Sequence, residues 1–158
     1  MALQIIGGTV QLPDGCVTNA GISSTAAITV GKMVHLVAKS TTLGFDFDDT
    51  PTTKEFVVHV SKVAGTIRNV RFGLRDTGTS TSVAFDVKKY NAGNTSGVSV
   101  LSAAVTITHG TTDRALQTGS ISSAATVADD WFTIVMTVSS STGAVGPYAE
   151  IEFEEAAV

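Results

Sequence analysis

Between Lys54 and Tyr90 the chain reads KEFVVHVSKVAGTIRNVRFGLRDTGTSTSVAFDVKKY, and apolar and polar residues trade places at nearly every step. In a first run Phe56, Val58 and Val60 share one face, with Val57, His59 and Ser61 on the other. In a second, Val70, Phe72 and Leu74 alternate with Asn69, Arg71, Gly73 and Arg75; in a third, Val83, Phe85 and Val87 alternate with Ala84, Asp86 and Lys88. Successive side chains of an extended backbone point to opposite faces, so a period of two predicts three consecutive strands of a half-buried sheet. A sheet with one bare apolar face needs a second layer, which the rest of the chain is expected to supply. Parity breaks at one place. Ile67 and Val70 cannot face the same way in a regular strand, which predicts a bulge around Arg68 and Asn69.

Further strands follow at regular intervals. Asn91 to Gly97 reads as a loop and Val98 to Leu101 as a short strand; Val105 and Ile107 share one face of the next. Arg114 to Ser120 is expected to be a strand with Leu116 as its main apolar contact. The run DDWFTIVMTVSS sets Phe132, Ile134, Met136 and Val138 against Trp131, Thr133, Val135 and Thr137. Apolar on nearly both faces, it should be central in its sheet or covered outside by another subunit. In YAEIEFEE, Ala149, Ile151 and Phe153 turn inward and Glu150, Glu152 and Glu154 outward. Apolar residues make up 43% of the chain, enough to fill a core, and only 15% are charged, which with abundant Thr, Ser, Gly, Val and Ala argues against helices. The expected fold is all-β, a jelly-roll-like two-sheet sandwich of about eight antiparallel strands with an extended N-terminal arm. The arm is assigned to residues 1–50 and the sandwich to 51–158.

The first fifty residues differ in texture. Leu3, Ile5, Ile6, Val10 and Leu12 are interrupted by Gly7, Gly8, Pro13 and Gly15. STAAITVGKMVHLVAK places Ala26, Val30, Met33 and Val37 at helical spacing around Gly31, and admits a short helix or a strand. TTLGFDFDDTP reads as a linker ending at Pro51. The segment is too apolar for simple disorder and too scattered to bury itself, so it is expected to lie against something else.

The residues offer little chemistry. A net charge of −4 leaves no footprint for nucleic acid or an anionic membrane. No basic stretch followed by an apolar run marks a secretory signal, and no window approaches the roughly 18 apolar residues of a membrane helix. Folding is therefore expected in a cytosol. The single cysteine, Cys16, excludes an intrachain disulfide and has no basic neighbour to activate it. His35, His59 and His109 lack metal-site spacing and read as solvated strand residues. Asp46, Asp48 and Asp49 resemble part of a Ca²⁺ loop without its internal Gly and distal Glu, and suit a polar linker better. Asp129 and Asp130 suit a turn better than acid–base work. No serine is paired with a base. The reading is not an enzyme, with no cofactor and no small-molecule substrate. Arg71 and Arg75 share an outward face, and Glu150, Glu152 and Glu154 form a matching acidic row; these charges pair within the domain or meet rows on neighbouring subunits.

Taken together, Gly65, Ile67 and Val70, then Asp86, Val87 and Lys88 with Ser99, Val100, Leu101 and Ser102, and then Asp129 and Asp130, resemble the jelly-roll modules of tailed-bacteriophage virion proteins. LPDGCVTNAGISSTAAITVGKMVH resembles the extended lead-ins of phage structural proteins. Where the family carries Gly before the junction Asp, this chain has Asp129 or Ala128, and its loop from Tyr90 to Ser99 is long. The resemblance implies a virion structural protein made in the host cytoplasm, either of two kinds. One is a capsid cement (decoration) protein, a homotrimer on the capsid surface bound to the major capsid protein. Its arm contacts would be Leu3, Ile5, Ile6, Val10, Leu12, Val17, Ile22 and Ile28, with Arg71, Arg75, Glu150, Glu152 and Glu154 as candidate subunit-interface charges. The other is a tail or receptor-binding module that recognises host glycan. That reading needs exposed aromatics, and Tyr90, Trp131 and Tyr148 form no cluster in the sequence.

Overall fold

A computed structural model of the chain describes residues 34–41 and 46–156, with Val34–Thr41 and Ala156 described by backbone alone. These residues form ten strands: β1 (Val34–Thr41), β2 (Lys54–Val60), β3 (Gly65–Asp76), β4 (Ser80–Tyr90), β5 (Val98–Ser99), β6 (Val105–Thr108), β7 (Gln117–Thr118), β8 (Ala125–Thr126), β9 (Trp131–Thr142) and β10 (Val145–Ala156). One sheet runs β1-β10-β3 and ends on β7 and β8, both paired to β3. The other runs β2-β9-β4 and ends on β5 and β6, both paired to β4. With each short pair counted as one broken strand, every sheet is four strands wide and every pairing antiparallel. The chain changes sheet at nearly every connection, and that is the jelly roll.

The alternation around Lys54 to Tyr90 marks strands correctly but not their neighbours. β2, β3 and β4 do not pair with one another; β2 and β4 flank β9 while β3 lies in the opposite sheet beside β10. The reason is the core. Val70, Phe72 and Leu74 of β3 and Val83, Phe85 and Val87 of β4 are buried because they face each other across the sandwich. The Phe72 and Phe85 rings stack at 5.1 Å between sheets, and Phe132 of β9 meets Phe153 of β10 edge-on at 5.1 Å. Such pairs add about 0.5–1.5 kcal/mol each beyond the area they bury.

β9 is central in its sheet, as expected, and the inward face expected of β10 is buried. β9 lies between β2 and β4, and β10 between β1 and β3, with Ala149, Ile151 and Phe153 fully buried. The expected bulge is present: Asn69 pairs with Glu152 and Ile67 with Phe153, so Arg68 has no partner in the register. That extra residue lets Ile67 and Val70 both reach the core. Only Gln117–Thr118 of the stretch Arg114 to Ser120 is strand; Arg114 turns the chain with φ of 60°, and Leu116 is exposed rather than a core contact. β8 was not anticipated.

The assigned boundary at residue 50 needs moving. β1 lies inside the expected arm, and it forms the edge of its sheet, pairing with β10 from Val34↔Ala156 to Thr41↔Ala149. Of the helix and strand that STAAITVGKMVHLVAK admitted, its last six residues take the strand. Leu3, Ile5, Ile6, Val10, Leu12, Val17, Ile22 and Ile28 lie outside the described residues.

The paired acids before β9 form the tightest junction. Asp130 is fully buried; its carboxylate accepts the Val127 N–H at 2.9 Å and the Asn91 amide at 2.8 Å, with the Lys89 ammonium 4.0 Å away. Asp129 has φ of 66°, the left-handed conformation that glycine takes without strain. Asp130→Ala removes the buried acceptor that ties the Asn91 amide and the Val127 N–H to this junction, and is expected to lower unfolding free energy by about 1–3 kcal/mol in urea melts. Asp129→Gly should change it by less than about 0.5 kcal/mol, whereas Asp129→Val should lower it by about 1–2 kcal/mol.

Candidate functional site

The outer face of the β2-β9-β4 sheet carries a cleft. Tyr90 ends β4 and Trp131 begins β9; because the strands are antiparallel, the two residues are register partners. From β2, Glu55 and Val57 project on the same side, with Val57 opposite Thr133. The loop Asn91–Asn94 closes one end of a cleft of about 470 Å³. Trp131 is 50% exposed and Val57 57%. Beside them Val98, opposite Lys89 in the register, is exposed as well, as is Val127.

Tyr90 is held in place. Its hydroxyl donates to Glu55 Oε1 at 2.6 Å, and the Thr133 hydroxyl donates to the same oxygen at 2.6 Å. Gly97 lies against the ring: a Cβ there would come within 2.5 Å of Tyr90 Cζ, so a side chain would push the loop off the phenol. The hydrogen bonds from Thr133 and then Tyr90 hold the Glu55 carboxyl below the ordinary glutamate range, and the same bond raises the Tyr90 phenol. The floor of the cleft is thus an ionised carboxylate braced by two hydroxyls, and its wall a half-exposed indole. The sequence reading found no aromatic cluster here. Its available signal was parity: an aromatic ending one strand and an aromatic starting another become neighbours if those strands pair antiparallel.

The charges expected on the other sheet pair within the chain. Arg71 binds Glu150, its register partner, with Nε 3.1 Å from Oε1. Arg68, projecting from the bulge, binds Glu154 and holds that carboxyl below the ordinary range. Arg75 turns instead to Asp48 at 2.8 Å and lies over the Phe47 ring at 4.6 Å. Glu152 sits between Asn69 and Ala38 in the register. These partly exposed pairs contribute little stability each. A second cleft of about 270 Å³ opens beside them, lined in part by Phe47, Arg75, Arg114, Leu116 and Tyr148.

His59 corrects the solvated reading. A bulge in β2, between Val57 and His59, turns the imidazole inward. It stands 4.3 Å from the Phe153 ring, and Nε2 is 2.6 Å from Glu155 Oε1, a bond joining the two sheets. His109 is exposed as expected, and the side chain of His35 lies outside the described residues. Asp46 and Asp49 make a turn, with the Asp46 N–H 3.0 Å from Asp49 Oδ2. Among the described residues no group of three His, Cys, Asp or Glu side chains is placed to hold a metal ion.

Because the folded Glu55 carboxyl titrates low, its stabilising effect is complete above the unfolded glutamate range and is lost as pH falls through the lowered value. Glu55→Gln should therefore narrow the loss of unfolding free energy between about pH 7 and about pH 3, by less than about 1 kcal/mol for so exposed a group. Calorimetry of both proteins across that range checks it.

No family model and no curated protein sequence matches this chain. Among solved structures it is similar to the one described as "Structure of infectious bursal disease virus Gx strain", at 13% identity and a TM-score of 0.31. That match covers 80% of this chain and 38% of the other, so the chain spans well under half of its neighbour's length. A likeness of that degree adds nothing to the jelly roll already described.

Proposed function

We propose that this chain is a virion structural protein of the capsid cement type, attaching to a shell of major capsid protein as a homotrimer. The observation that carries the reading is what the residues of the phage resemblance do. Gly65 lets β3 pass close to β10, since a Cβ there would meet the Glu154 carbonyl at 2.5 Å. Asp86 accepts the Ser99 hydroxyl at 2.6 Å and so ties β5 to β4. Asp129 and Asp130 build the turn into β9. Each is a framework residue of the sandwich, as a structural module requires, and none is arranged for catalysis.

Attachment is assigned to the segment ahead of β1. The sandwich takes in the chain from Val34, so the arm is redrawn as residues 1–33, which still contain every proposed contact from Leu3 to Ile28. Apolar arm residues would contribute about 25 cal/mol per Å² buried on the shell, before ordering costs. Three arms on one trimer act together, so modest single contacts give firm binding. Arg71 and Glu150, already paired within the chain, are not needed for it.

The test is a deletion of residues 1–33 that leaves β1 in place. The full chain is expected to co-sediment with undecorated capsids in hundreds of copies per particle, and the deletion variant to stay folded and lose most of that binding. Equal coating by the deletion variant would remove the arm mechanism. A handful of copies on native particles would place the protein in the tail.

A further inference from the structure

We propose that the Trp131 cleft binds a neutral saccharide, with a pyranose ring against the indole and its hydroxyls donated to Glu55, Asn91 and Asn94. The inference does not depend on capsid attachment, since every residue it uses belongs to the sandwich. Four features of the cleft select this class of ligand.

The first is size. At about 470 Å³ the cleft falls within the roughly 300–1,000 Å³ of small-ligand sites and suits one or two sugar rings. The second is the platform. Trp131 is half exposed although it starts a strand whose next residue, Phe132, is fully buried, so a broad flat apolar surface stands in water beside polar groups. Tryptophan is favoured where one side of a contact is apolar and the other wet, which describes a pyranose with its C–H face and hydroxyl rim.

The third is the polar complement. Glu55 is an acceptor already oriented by Tyr90 and Thr133, so it loses little freedom when a ligand hydroxyl joins it. The Asn91 amide is anchored on Asp130 through Nδ2, leaving its side chain fixed at the mouth of the cleft. An apolar side chain from a protein partner would cover Glu55 and these amides without giving them hydrogen bonds, at a desolvation cost.

The fourth is charge. An ionised Glu55 disfavours an anionic ligand. A cationic one would meet Lys88, which is the register partner of Thr133 and so stands on the same face as the cleft. Lys88, close enough to Glu55 to lower its titration, further offsets the negative field. What remains is an uncharged ligand rich in hydroxyl donors.

Trp131 is the chain's only tryptophan, so intrinsic fluorescence reads this cleft alone. The full chain, free of capsids, is titrated with neutral mono- and disaccharides of glucose, galactose, mannose and N-acetylglucosamine. Sialyl-lactose serves as an anionic probe and tetramethylammonium as a cationic one. A saturable fluorescence change with at least one neutral sugar is expected, weaker for sialyl-lactose than for lactose. By calorimetry, Trp131→Ala should weaken binding about tenfold or more and Trp131→Phe less, both with near wild-type melting because the indole is half exposed. No saturable response to any neutral sugar would overturn the proposal. So would tighter binding of tetramethylammonium, or sugar binding unchanged by Trp131→Ala.

Discussion

Everything in this fold depends on two sheets meeting through apolar faces that neither could leave in water. The contact is anchored by Phe72 against Phe85 and by Phe132 against Phe153, each pair made of one ring from each sheet. Around them Ile67, Val70, Leu74, Val83, Val87, Ile134, Met136 and Ile151 are almost wholly buried. Four strands carry this load because they are the inner ones of their sheets: β9 and β4 in one, β10 and β3 in the other. β9 and β10 are joined by a turn at Gly143 and Ala144 yet lie in different sheets, so that turn crosses the sandwich.

Two of the bulges that adjust that packing differ in how visible they are beforehand. At Arg68 the apolar spacing itself is irregular, so the extra residue announces itself. In β2 the spacing is regular, and Phe56, Val58 and Val60 look like an uninterrupted inner face. The bulge after Val57 nevertheless turns His59 onto Phe153 and toward Glu155. A histidine satisfies either placement, being apolar enough for a ring contact and polar enough for water, so alternation could not decide between them. Register against β9 and the carboxylate waiting on the other sheet did.

The outer faces divide along similar lines. On the β10 side, the arginines and glutamates visible as two rows in the sequence meet across the β3–β10 ladder, although Arg75 leaves its row for Asp48 and Arg68 joins instead. On the β9 side the cleft combines Glu55, Tyr90 and Trp131, residues from three strands and far apart in the chain. Nothing in their spacing connects them. The apolar residues from Leu3 to Ile28 are the opposite case: they are evident in the sequence and lie outside the described residues.

By itself the sequence determined that this chain is a β-sandwich, that β9 is central in its sheet, where β3 bulges, and that Asp129 and Asp130 form a turn. These follow from period, composition and local backbone preference, which act over a few residues. Only the tertiary structure decided that β2, β3 and β4 split between two sheets and that Val34–Thr41 joins the sandwich as its edge. It alone decided that His59 faces inward and that Tyr90 and Trp131 share a cleft. Those outcomes depend on which strands lie side by side, and antiparallel pairing brings together residues whose separation along the chain carries no information about their contact.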